Sequence, residues 1–133
     1  LHWRQTGAYR AAKRLMEDEG IGVPYHVRVH ALRRRGVPGW GSFTDKTVQG
    51  GGPLIDIGVH LLDAALGLIG YPKPLYAVAN QSDRIGRQGG EGHLGAWQGE
   101  RFTVEDGLFG LVRFEGGISL MVETTLRLMR CRQ

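Results

Sequence analysis

Apolar residues recur along this chain with two different periods. Between Gly7 and Glu19, the residues Ala8, Ala11, Ala12, Leu15 and Met16 fall at helical spacing, while Lys13, Arg14, Glu17 and Asp18 stay polar. This predicts an amphipathic helix, ended by Gly20 and Gly22. From Tyr25 the period drops to two. Tyr25, Val27, Val29 and Ala31 alternate with His26, Arg28, His30 and Leu32, which predicts a strand with one apolar face. Arg33 to Gln49 has neither period and predicts a long loop, a kind of segment that often carries function. Gly50-Gly51-Gly52-Pro53 then opens a stretch that is apolar almost all round as far as Leu68. Pro53 suits the first turn of a helix.

Leu75 to Asn80 predicts a second strand. Ser82 to Glu100 holds six glycines and predicts a mobile loop. Thr103–Phe114 and Ile118–Leu126 predict a hairpin turning at Gly116-Gly117. Its first strand is apolar on both faces, with Phe109 and Leu111 on one side and Leu108, Val112 and Phe114 on the other. A strand of that kind belongs to a sheet covered on both sides. The order of elements predicts an α+β fold with an open, mostly antiparallel sheet and helices packed on one face. The other face is left for a second copy or another segment to cover.

Composition narrows the class. A length of 133 residues suits one domain with a sizeable core. Cys131 is the only cysteine, so an internal disulfide framework and a cysteine zinc site are excluded, and a cytoplasmic location is expected. The longest apolar run, Leu54 to Ile69, is interrupted by Asp56, His60 and Asp63 and is short for a bilayer span. No signal peptide is visible, and no membrane partner is expected. The net charge of +4 is concentrated at Arg33-Arg34-Arg35, a run that suits phosphate or nucleic acid but equally a solvated loop. No nucleic-acid-binding motif accompanies it, so no nucleic-acid partner is expected.

Asp56, His60 and Asp63 are spaced to lie along one face of the apolar helix. Such a stripe either solves a local hydrogen-bonding problem or moves protons. Imidazole ordinarily titrates near neutrality, which suits a general base. Asp56, one turn earlier, is placed to hold its tautomer. The same residues also admit a hydrogen-bonded pair on a core helix, or two ligands of a metal-dependent hydrolase or isomerase. His26 and His30 have no companion ligands at suitable spacing and read as surface residues of a strand.

The stretch from Gly50 to Asp63 resembles the hallmark of the Gfo/Idh/MocA oxidoreductases, the family of glucose–fructose oxidoreductase and inositol dehydrogenase. The resemblance extends to Ala12-Lys13-Arg14-Leu15, to the loop from Arg33 to Lys46, and to the hairpin around Glu115-Gly116-Gly117. It implies the C-terminal domain alone (residues 1–133), the part that binds substrate and builds the oligomer. No Gly-x-Gly-x-x-Gly opens a helix after a strand here, so the family's N-terminal Rossmann domain is expected to lie outside this chain. The start at Leu1, rather than a methionine, also reads as a piece of something longer.

The function implied is oxidation of a sugar, polyol or related alcohol by hydride transfer to NAD or NADP. The roles implied are His60 as base with Asp56 as its partner, and Trp40, Lys46 and Arg34 toward the substrate. Gly51 and Gly52 would let a cofactor approach closely. No cofactor is expected on this chain alone, which is expected to be inactive without its Rossmann partner and to self-associate through its sheet. The alternative is a non-catalytic oligomerisation or binding domain.

Overall fold

A computed structural model describes residues 1–18 and 20–127. After a 3-10 turn at His2–Gln5 come α1 (Gly7–Asp18), β1 (His26–Leu32) and the short α2 (Lys46–Gln49). A π-helical turn over Leu54–Gly58 leads directly into α3 (Val59–Leu68). Five strands follow, β2 (Pro74–Ser82), β3 (Gly90–Gly92), β4 (Gly95–Trp97), β5 (Gly107–Phe114) and β6 (Ser119–Thr125).

The main sheet has the order β1-β6-β5-β2. Its β5–β6 and β2–β5 pairs are antiparallel, and β1 joins β6 in parallel, His26 opposite Ser119 through Leu32 opposite Thr125. The α+β class and the mostly antiparallel open sheet therefore hold as expected. The hairpin turns through Glu115–Gly117, where Gly116 (φ 73°) and Gly117 (φ 83°) take the left-handed conformation that glycine adopts without strain.

One core lies between this sheet and α3. Val29, Leu120, Val122 and Phe114 pack from the sheet against Ala65, with Leu54, Leu61, Leu62 and Leu66 from the helical side. Helices cover only this face. On the other face the register aligns Phe109 with Asn80 and Glu123, Leu111 with Val78 and Met121, and Arg113 with Tyr76 and Ser119. Tyr76, Val78, Phe109 and Leu111 are all exposed there. The two-faced apolar pattern of β5 is real, and nothing among the described residues covers its second face.

A second core departs from expectation. Val37, Trp97, Phe102, Val104 and Leu126 form a separate buried cluster. Ser82 to Glu100, expected to be a mobile loop, folds around it with 3-10 turns at Gly86–Gln88 and Gly99–Arg101 and the β3–β4 ribbon. Its glycines serve close packing: a Cβ on Gly86 would overlap the Phe102 ring. The hairpin also starts later than expected, at Gly107. Thr103 spends its amide on the Thr44 carbonyl (2.9 Å) in the loop before α2, and pairing with β2 begins only where the Asp106 amide meets the Ser82 carbonyl (2.6 Å).

By length and composition alone, Lys46–Leu68 is long and apolar enough to cross a membrane, unlike the shorter run read from the sequence. In the fold this stretch breaks at Gly50 (φ 86°), and α3 packs on the sheet with Ala65 and Gly67 buried.

Candidate functional site

His60 sits at the start of α3, two residues past the π-helical turn. Gly58 makes that position possible. It is buried, and a Cβ there would overlap the Thr124 methyl of β6. The helix start therefore rests directly on the sheet. The end of β1 contributes His30, Ala31, Leu32 and Arg33, which face Ile57, His60 and Leu61 across a cleft of about 320 Å³, with Trp3 closing one side. His2 meets the His60 ring edge-on at 4.7 Å. His60 Nδ1 is buried without a hydrogen-bond partner among the described residues.

Asp56 is not that partner. Its Oδ2 lies 3.5 Å from Arg33 Nη1. The expectation that Asp56 holds the imidazole assumed α-helical stacking. A π turn carries more residues per turn, so residues four apart no longer have the α-helical offset. Arg33, which sequence reading left in an unassigned basic run, is the group Asp56 faces. Arg33 Nη1 also donates to the Gly36 carbonyl at 3.3 Å.

Asp63 belongs to a different cluster at the far end of the stripe. It accepts from the Tyr71 hydroxyl (3.0 Å), with Arg4 at 3.7 Å. This cluster ties the N-terminal turn to α3.

Gly51 and Gly52 are buried, and the close approach they permit is made by this chain. A Cβ on Gly52 would overlap the Glu105 carbonyl oxygen, and one on Gly51 would crowd Ile55. Within this chain their nearest neighbours are Ile55 and Glu105.

The three loop residues read as substrate-side do not converge on the His60 cleft. Trp40 lines a separate hollow of about 210 Å³ with Thr44, Trp97, Gln98 and Arg101. Its ring meets Phe43 edge-on. Lys46 opens α2, its amide donating to Thr103 Oγ1 at 2.8 Å. Asp45 caps that helix by accepting from the Thr47 hydroxyl (2.7 Å) and amide (2.9 Å), which hold its carboxyl below the usual range. Arg34 lies in a third hollow, beside His93 and Leu94. Trp3, His2 and Arg33, all close to His60 or its cleft, escaped sequence reading because no periodicity links them to α3. No cluster of three or more His, Cys, Asp or Glu among the described residues is placed to hold a metal ion.

The family model of the GFO/IDH/MocA C-terminal domain matches residues 9–130. The chain belongs to this family. A D-glucoside 3-dehydrogenase from Escherichia coli (strain K12) is 47% identical over 108 residues, covering 81% of this chain and 31% of that protein. A levoglucosan dehydrogenase solved with NADH and levoglucosan superimposes with a TM-score of 0.73 at 27% identity, over 95% of this chain and 32% of that one. An oxidoreductase domain protein from Kribbella flavida has the same fold, with a TM-score of 0.75 at 24% identity over 98% of this chain and 34% of that one. This GFO/IDH/MocA domain thus spans about a third of the length of the relatives it matches.

Proposed function

We propose that this domain is the substrate side of an NAD(P)-dependent oxidoreductase acting on a sugar, polyol or related alcohol, with His60 as the general base. The observation that carries the reading is the half-buried His60 imidazole, with no carboxylate engaging its Nδ1, lining an open cleft between β1 and α3. An alcohol that loses hydride to a nicotinamide must also lose its hydroxyl proton. An imidazole within hydrogen-bond reach of that hydroxyl takes it, at a gain of about 10²–10⁴-fold. Arg33, which Asp56 engages, lines the cleft and orients polar groups of the substrate. The dinucleotide is held by a Rossmann domain outside this chain, and no step is assigned here to a cofactor-binding residue. The relative named for glucoside oxidation and the one solved with levoglucosan favour a sugar as the substrate class.

The test is NAD(P) reduction by this domain joined to its Rossmann partner, across a panel of glucosides, free sugars and polyols. Saturable reduction with a sugar supports the proposal, and inertness toward the whole panel rejects it.

A second role is favoured by the uncovered sheet face. Tyr76, Val78, Phe109, Leu111 and Met121 form one apolar surface, and a bare apolar sheet is an association surface. We propose that a second copy of the chain covers it. Sedimentation should show a dimer or higher species that Phe109→Ser with Leu111→Ser converts to monomer. A wild-type monomer at tens of micromolar, roughly where weak interfaces begin to fill, contradicts this role.

A further inference from the structure

The hollow beside the His60 cleft is built from a run of three arginines with little to neutralise it. Arg33, Arg34, Arg35 and Gly36 face His93 and Leu94 across about 370 Å³. Arg33 lines both this hollow and the cleft. Asp56 engages Arg33. No carboxylate among the described residues lies within ion-pair distance of Arg34 or Arg35. Arg35 Nη2 reaches only the Glu91 carbonyl oxygen, at 3.4 Å, and Arg35 Nε is buried without a partner.

The loop that presents these cations is clamped at several points. The Arg33 and Gly36 amides donate to Thr125 and Leu126 carbonyls at 2.9 and 2.8 Å, and the Arg35 carbonyl accepts from the His93 amide at 3.0 Å. Gly92 lets the β3–β4 ribbon approach this closely, because a Cβ there would press on the Arg35 carbonyl oxygen at 2.7 Å. The backbone that carries these guanidinium groups is thus fixed, and guanidinium groups bind planar or tetrahedral oxyanions with charge-assisted, often bidentate hydrogen bonds.

We infer that the Arg34–Arg35–His93 hollow is an oxyanion subsite that takes a phosphoryl group. The inference rests on the sugar-oxidoreductase reading only for what carries the anion: a phosphorylated sugar would place its phosphoryl group here and its reacting hydroxyl toward His60. The chemistry shared with free phosphate does not depend on that reading.

The test is titration of the chain with sodium phosphate, glucose 1-phosphate and glucose, followed by amide NMR shifts. Both phosphates should give saturable shifts at Gly36, His93 and Leu94, and glucose should give none there. Tighter binding of glucose 1-phosphate assigns the subsite to a substrate-borne group; equal binding assigns it to free anion. Exposed Arg34→Gln, and separately Arg35→Gln, should weaken phosphate binding at least about tenfold, with Arg34→Lys between, because an ammonium keeps the charge but loses the planar fork. No saturation with either phosphate, or unchanged affinity in both glutamine variants, overturns the inference. Loss of sugar oxidation in a His60 variant with phosphate binding intact would leave the two proposals separately testable.

Discussion

Asp106→Ala is expected to loosen the second core. Asp106 is only 3% exposed. Its Oδ2 accepts from the Ile85 and Gly86 amides at 2.6 and 2.7 Å. The Gly86 carbonyl in turn accepts from Trp97 Nε1 at 2.9 Å. The Asp106 backbone keeps its own bonds in the variant, with its carbonyl still accepting from the Leu126 amide at 2.9 Å, so the substitution isolates the carboxylate. Two hydrogen bonds to a charged acceptor are lost, each worth about 1.5–3 kcal/mol, and a buried donor is left unpaired. Relief of carboxylate burial offsets part of this, so a net loss of about 2–4 kcal/mol is expected. The assay is urea unfolding with an unchanged m-value.

The pH dependence supplies a second check. Burial raises the Asp106 carboxyl above its ordinary value, and the Gly86 and Ile85 amides only partly counter it. A group whose folded pKa is raised contributes stability that is fully present below the unfolded value, near ~3.9, and is lost as pH rises through the folded one. The gap between wild type and Asp106→Ala should therefore widen on acidification through that window. A loss below about 1 kcal/mol at neutral pH, or a gap that narrows on acidification through that window, would refute the reasoning.

Two further outcomes concern α3. Gly58→Ala forces a Cβ into the Thr124 methyl and should cost about 1–3 kcal/mol as an overpacking change, read by thermal unfolding; full stability would show that the helix start does not rest on the sheet. Asp63→Asn removes the charge from the acceptor of the Tyr71 hydroxyl bond and should leave sugar oxidation nearly intact, read by steady-state turnover. A loss of turnover as large as that of a His60 variant would contradict the structural assignment of Asp63.

Most of the fold is legible in the sequence because β1, α3, β5 and β6 each bury one face and their periods record it, while α1 shows the helical period although none of its residues is buried. Ser82–Glu100 was misread for a physical reason. Its glycines mark close approaches, Gly86 against Phe102 and Gly99 against the Arg87 carbonyl, and composition alone cannot distinguish close approach from mobility. The site was legible in part. The polar stripe on an apolar helix singles out His60, but the π turn that separates Asp56 from it leaves no periodic signature. Arg33, Trp3 and His2 reach the His60 region from other elements, and only the parallel pairing of β1 with β6 and the N-terminal turn bring them there.

The central claim is that His60 takes the substrate's hydroxyl proton. The most direct measurement is steady-state turnover of His60→Ala in the two-domain enzyme, with NAD(P) affinity measured alongside by titration. The account predicts turnover lower by about 10²–10⁴-fold, unchanged cofactor affinity, and loss of the pH dependence of turnover that an imidazole base imposes. Near-normal turnover with the wild-type pH profile would contradict it and leave His60 as a residue of the α3 packing.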